Sequence, residues 1–195
     1  MSLVELAGTL LGVLGVWLMI RQNIWGWPVG LVQVSLYAWI FYGAQLYSDA
    51  LLQLIFLGLQ AYGWWHWHQA RRHPARATRE LPVTRLRVSE AIMLGGAGLG
   101  LTAAWGEFMQ RTTDAALPYW DAFILVFSVI AQWLQARKVL ECWAGWIIVN
   151  VVAIGVYWVK DLRLTAGLYG LFLGMAVWGW CSWSAARRSL PSSHA

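Results

Sequence analysis

The stretch W-A-G-W-I-I-V-N-V-V-A-I-G-V-Y, from Trp143 to Tyr157, holds one amide, Asn150, in a run otherwise apolar or aromatic. In a helix, Asn150 lies one turn from Trp146 on the same face. An asparagine has up to four hydrogen-bonding positions, and lipid satisfies none of them. It must face protein, water or a ligand. A tryptophan one turn away adds a flat π-surface, a combination suited to an aromatic and preferably cationic small molecule. The same residues are open to a plainer reading, in which Trp146 is one of sixteen tryptophans and Asn150 joins two helices through an interhelical hydrogen bond.

Other polar side chains sit in apolar runs at helical spacing. Gln33 and Tyr37 are four apart, and Gln53 and Gln60 are seven apart, which places each pair on one face. Two amides on one face of a lipid-length helix line an interior. Asp121, Ser128, Gln132 and Gln135 recur at spacings of 7, 4 and 3 and form one stripe. Asp121 lies near the start of its run, where a carboxylate either caps a helix N-terminus or touches a cation. The candidate substrate-binding set is Trp146, Asn150, Gln53, Gln60, Gln33, Tyr37, Ser128 and Asp121. Catalytic, metal-ligating and cofactor-binding sets are not expected: there is no H-E-x-x-H, G-x-S-x-G or Cys/His cluster, and no Walker motif. Cys142 and Cys181 have no metal-ligand spacing, and His66, His68, His73 and His194 read as interface or tail residues.

The elements that must hold these residues are membrane helices. The chain is 59% hydrophobic and 12% charged, about half the charged share of a soluble domain, with a mean hydropathy of +0.54. Apolar runs of about 17 to 21 residues each suffice to cross a hydrocarbon core of roughly 30 Å. They are Leu3–Ile20, Trp27–Ala44, Ala50–Trp67, Ser89–Phe108, Tyr119–Ala136, Trp143–Val159 and Leu164–Ser184. The first begins close to the N-terminus without a basic n-region and reads as a retained span. The expected class is an all-α integral membrane protein with seven transmembrane helices.

Seven spans put the termini on opposite sides. Arg21, Arg71, Arg72, Arg76, Arg79, Arg85, Arg87, Arg137, Lys138, Arg187 and Arg188 then share one side, against Arg111, Lys160 and Arg163 on the other. Excess basic charge marks the cytoplasm, so the N-terminus is expected outside and the C-terminus inside. This topology explains the net charge of +5 without a nucleic-acid partner. Glycine pairs at Gly8/Gly12, Gly26/Gly30, Gly96/Gly100 and Gly170/Gly174 are expected at close helix crossings.

The chain also repeats. L-G-L-Q-A-Y-G-W-W-H-W over 57–67 aligns with L-G-M-A-V-W-G-W-C-S-W over 173–183 at an offset of 116, and one gap sets Gln33 opposite Asn150 at 117. The expected organisation is a three-helix repeat (1–68), a basic cytoplasmic linker (69–88), a connecting fourth helix (89–110), a second three-helix repeat (111–186) and a polar cytoplasmic tail (187–195). An odd connector keeps the repeats parallel, with a substrate between them near mid-membrane.

Q-L-Y-S-D-A-L-L-Q-L-I-F followed by Y-G-W-W-H-W, then P-Y-W-D leading through S-V-I-A to A-R-K, and W-x-x-x-N at Trp146 and Asn150 resemble the Pnu-type vitamin transporter family over nearly the whole chain. The resemblance implies a 3+1+3 helix arrangement related to the SWEET transporters. It implies uptake of nicotinamide riboside across the bacterial inner membrane by facilitated diffusion, with intracellular phosphorylation as the trap, and suggests a homotrimer. It assigns ring and polar-group binding to Trp146 and Asn150, and further amide contacts to Gln53 and Gln60. Gln33 stands where the nicotinamide riboside members would carry a shorter asparagine, and thiamine or another unphosphorylated aromatic vitamin or nucleoside is the alternative cargo. An intramembrane enzyme and a structural subunit are the rivals from other classes.

Overall fold

A computed structural model describes residues 3–43, 47–72 and 81–188. Among them are seven α-helices: α1 Leu3–Ile20, α2 Gly26–Gly43, α3 Tyr47–Arg72, α4 Val88–Thr112, α5 Pro118–Ala136, α6 Cys142–Val159 and α7 Arg163–Arg188. The bounds follow the apolar runs closely. α3 and α7 continue past the expected repeat boundaries at 68 and 186, because the arginines at their ends belong to the last helical turn. Four helices, α4 to α7, are long and apolar enough to cross a membrane, and Leu6–Ile20 of α1 is a shorter apolar helical stretch.

The packing is cyclic. α1 packs on α2, α2 on α3, α3 on α5, α5 on α6, α6 on α7, and α7 back on α1. Six helices therefore form a ring, and α4 packs on α5 alone, outside it. α3 leans on α5 and α7 on α1, which closes the ring.

The ring is closed at one end by tryptophan. Trp27 meets Trp67 edge to face (5.5 Å between centroids, 78°), and Trp143 meets Trp183 likewise (5.4 Å, 89°). Trp67 and Trp183 meet each other at 6.1 Å, so the four rings form one layer. The Trp67 indole N–H donates to the Ala136 carbonyl at 3.0 Å, and that of Trp183 to the Met19 carbonyl at 3.1 Å. Each bond runs from the end of a third helix to the end of the other half's first helix. Met19, Ile20, Val83, Leu134, Leu140 and Met175 complete the buried cluster around them.

The halves match at a constant offset of 116. Gln22 and Lys138 both take a left-handed φ, 53° and 57°. Each follows a helix closed by paired bonds, Asn23 N–H to Leu18 O with Gln22 N–H to Met19 O, and Val139 N–H to Leu134 O with Lys138 N–H to Gln135 O, the Schellman arrangement. Arg21 lies over the Trp17 ring and Arg137 over Trp133. The gap introduced from sequence is therefore unnecessary. Asn150 corresponds to Val34, and Gln33 to Val149.

The glycines used are not all those expected. Gly8 and Gly12 face the Tyr37 and Gln33 side chains of α2, and Gly26 and Gly30 are also closely approached. At Gly96, Gly100, Gly170 and Gly174 an added methyl group would meet nothing within 4 Å; Gly98 and Gly106 seat α4 on Phe127 and Tyr119 of α5 instead. Gly63 and Gly179 lie flat against the Trp27 and Trp143 rings, one glycine per half.

Part of the linker docks on the bundle. Residues 73–80 lie outside the described residues, whereas 81–87 dock on the α5–α6 turn. Thr84 N–H donates to Lys138 O, Leu140 N–H to Thr84 O, and Glu141 accepts from the Leu86 N–H and pairs with Arg85 at 3.0 Å. Val83 is buried in the tryptophan cluster.

A methyl group at Gly63 or Gly179 must displace an indole, and overpacking of this kind costs about 1–3 kcal/mol. Gly63→Ala and Gly179→Ala are expected to lower the thermal unfolding midpoint in detergent clearly, while Gly58→Ala and Gly174→Ala, which meet nothing, leave it unchanged. Equal effects at all four positions would contradict the closure described here.

Candidate functional site

Above the tryptophan layer, one helical turn further along α6, comes Trp146. Its indole N–H donates to Gln135 Oε1 of α5 at 2.7 Å. Another turn on is Asn150, 5% exposed, on the face of α6 opposite the exposed Ile148 and Val151. On α5, Ser128 and Gln132 are buried as well. No protein group among the described residues hydrogen-bonds the Asn150 or Gln132 amide. Buried amides with open bonding capacity are the groups that water or a ligand satisfies.

Across the ring, the seam between α2 and α3 carries Gln60. Its carboxamide lies directly on Gly30, whose missing side chain makes the room, and its Oε1 is buried without a donor. At the offset of 116, Gly30 corresponds to Trp146 and Gln60 to Ala176. One half thus puts a small residue on its second helix and an amide on its third; the other puts an indole on the second and a small residue on the third. An indole on α6 and an amide on α3 therefore stand at positions that the offset relates, one on each side of the ring.

The remaining expected residues are more scattered. Gln33 and Tyr37 pack against the glycine face of α1. Gln53 shares the α2-facing side of α3 with Gln60, as its spacing requires, but lines a groove of about 530 Å³ with Val34, Ser35, Ala38, Trp39, Tyr42, Ala50, Leu54 and Leu57. Trp39 and Tyr42 are strongly exposed there, and neither Trp146 nor Asn150 lines this groove. Asp121 is held by Lys160 at the end of α6, with both carboxylate oxygens 2.8 Å from Nζ. It is fourteen residues from Gln135, about 21 Å along α5 at ~1.5 Å per residue. Beyond Asn150, Tyr157 and Tyr169 stack at 5.1 Å, with Phe172 against Tyr169.

Gln135 belongs to the site although the candidate set does not contain it. Its stripe is visible in the sequence, but nothing in the spacing tells which of the members reaches the indole across the α5–α6 seam. Among the described residues no group of His, Cys, Asp and Glu could hold a metal ion.

Residues 2–185 match the family described as nicotinamide mononucleotide transporter. The chain belongs to that family. It is 28% identical to the nicotinamide riboside transporter PnuC of Escherichia coli, over 100% of this chain and 91% of that protein. It is 30% identical to the nicotinamide riboside transporter PnuC of Neisseria mucosa, over 89% of this chain and 68% of that protein. Similarity extends to the riboflavin/roseoflavin transporter RibM of Streptomyces davaonensis, at 24% identity over 92% and 83% of the two chains. A crystal structure of the vitamin B3 transporter PnuC superposes with a TM-score of 0.75 at 27% identity, covering 96% of this chain and 83% of that one. Family and fold together make the protein a multi-pass membrane transporter.

The Asp121–Lys160 pair is about a quarter exposed on each side, and it fastens α5 to α6 far from Trp146. Asp121→Asn is expected to lower stability by about 1 kcal/mol while leaving ligand affinity, measured by titration calorimetry, within twofold of the parent. A large loss of affinity with unchanged stability would place Asp121 in the site instead.

Proposed function

We propose that the protein carries nicotinamide riboside into the bacterial cell by facilitated diffusion across the inner membrane, with phosphorylation by a cytoplasmic kinase trapping the cargo. The observation that carries this reading is the unpartnered, buried Asn150 amide one turn from the Trp146 indole, with the Gln60 amide of α3 on Gly30 as a second polar group. A pyridinium ring stacks on tryptophan with a cation–π contribution, and its carboxamide and ribose hydroxyls offer both donors and acceptors to the amides. Ser128 and Gln132 extend the polar wall, and Gln33, Tyr37 and Gln53 are peripheral members of the set.

The nonphosphorylated cargo is favoured by charge. Between the tryptophan layer and the Asp121–Lys160 pair, the six helices of the ring carry no Lys or Arg, and a phosphate buried there would lack a cationic partner. The two PnuC relatives are named for the riboside, which agrees. Riboflavin, the cargo named for the more distant relative, and thiamine are the competing vitamins.

All seven helices are read as spans in a 3+1+3 arrangement, with α4 joining two parallel three-helix repeats. The matched tryptophans, glycines and left-handed turns at one constant offset support this. The ends of α1, α3, α5 and α7 gather at the tryptophan closure, and this end bears most of the basic residues. It is read as cytoplasmic, with the N-terminus outside and the C-terminus inside. A homotrimer in the bilayer is the proposed assembly.

Titration calorimetry on the purified protein with nicotinamide riboside, thiamine, riboflavin and nicotinamide mononucleotide tests the reading, repeated on Trp146→Ala and Asn150→Leu. Nicotinamide riboside is expected to bind most tightly, with each substitution weakening it at least tenfold. Unchanged binding in both variants would return Trp146 and Asn150 to simple packing.

A further inference from the structure

Trp146 is tied to the closed end of the ring through one turn of α5. Its indole N–H donates to Gln135 Oε1 at 2.7 Å, and Gln135 is itself buried at 5% exposure. An indole has a single donor; once that donor is used by protein, only the two π faces remain for a ligand. The next residue, Ala136, accepts the Trp67 indole N–H of the closure at 3.0 Å. The Gln135 carbonyl accepts the Lys138 N–H that forms the turn behind it. The side chain, its own backbone and its neighbour thus connect the site indole with the closing indole over two residues.

This connection belongs to one half only. At the offset of 116, Met19 stands in place of Gln135 and Gly30 in place of Trp146. In that half Met19 O still accepts the Gln22 N–H of the turn, but the closing indole bond falls one position earlier: Trp183 donates to Met19 O, and Ile20 O, the counterpart of Ala136 O, accepts from the Ser182 hydroxyl. The side-chain part is absent. The hydrogen bond is therefore an addition at the site and no requirement of the repeat.

We propose that Gln135 is a positioning residue for ligand: it holds the Trp146 indole so that a planar cationic ring is recognised by its face alone, and it couples that indole to the Trp67 closure. This rests on the transport reading above and names the residue that fixes the stacking geometry.

The test is uptake into liposomes of nicotinamide riboside and of its reduced, uncharged dihydro form, by the parent, Gln135→Met and Gln135→Glu. Methionine keeps the length and removes the oxygen acceptor; glutamate keeps an acceptor. The methionine variant is expected to raise KM for nicotinamide riboside about tenfold, the scale of one hydrogen bond, with the maximal rate within twofold and the preference over the dihydro form reduced. Glutamate is expected to restore KM. In a Trp146→Phe background, which has no indole N–H, Gln135→Met should change KM no further, and this comparison holds even if Gln135→Met alone folds poorly. A parental KM in the methionine variant, equal damage by glutamate, or a full effect in the Trp146→Phe background overturns the proposal. A parent that moves no nicotinamide riboside overturns the substrate reading and the proposal with it, whereas a transporting parent insensitive to residue 135 overturns the proposal alone.

Discussion

Two indole N–H groups, each donated from the last turns of a third helix to the end of the other half's first helix, hold the ring together. The Trp67–Ala136 and Trp183–Met19 bonds, with the Ser182 hydroxyl donated to the Ile20 carbonyl and the buried cluster around them, tie α3 to α5 and α7 to α1. Each such bond is worth about 0.5–1.5 kcal/mol net, and the edge-to-face tryptophan pairs add a similar amount. The same layer leaves the Trp27 and Trp143 indole N–H groups buried without acceptors, at about 1–3 kcal/mol each. The closed end is thus held less firmly than its packing alone would give, which suits an end that must open during transport.

Symmetry is kept where the molecule closes and abandoned at the proposed binding layer. Trp27 and Trp143, Gly63 and Gly179, Trp67 and Trp183, and the left-handed Gln22 and Lys138 are paired at one offset. One turn away, Gly30 faces Gln60 while the corresponding positions are Trp146 and Ala176. Val34 corresponds to Asn150 and Met19 to Gln135. A seal between equivalent halves is best made from equivalent parts, but a small molecule with an aromatic end and a polar end needs unlike walls. The divergence is confined to the layer where such walls are required.

Much of this was legible in the sequence because membrane helices are long, apolar and bounded by charge. The runs predicted the helices to within a few residues, and the repeated G-W and final W marked the parts that meet in the closure. What spacing could not supply was which face of a helix meets which neighbour. The spacing of Gly96 and Gly100 predicts a close crossing, yet it is Gly98 and Gly106 that touch α5. Gln53 and Gln60 share a face, but α2 seals one against Gly30 and leaves the other in an open groove. The gap that matched Gln33 to Asn150 paired amide with amide, a chemical resemblance that the constant register does not support. The docking of 81–87 combines backbone bonds with the Arg85–Glu141 pair and the burial of Val83, partners more than fifty residues apart that spacing along the chain does not bring together.

The central claim is that ligand occupies the interior of the ring on the Trp146 face, above a tryptophan seal. A structure determined with nicotinamide riboside bound tests it most directly. The pyridinium ring is expected to lie against the Trp146 indole, with polar groups within hydrogen-bonding distance of Asn150 and the Trp146 N–H still on Gln135. Ligand found instead in the groove between α2 and α3, beside Gln53 and Trp39, with the Trp146 face bare, would contradict it.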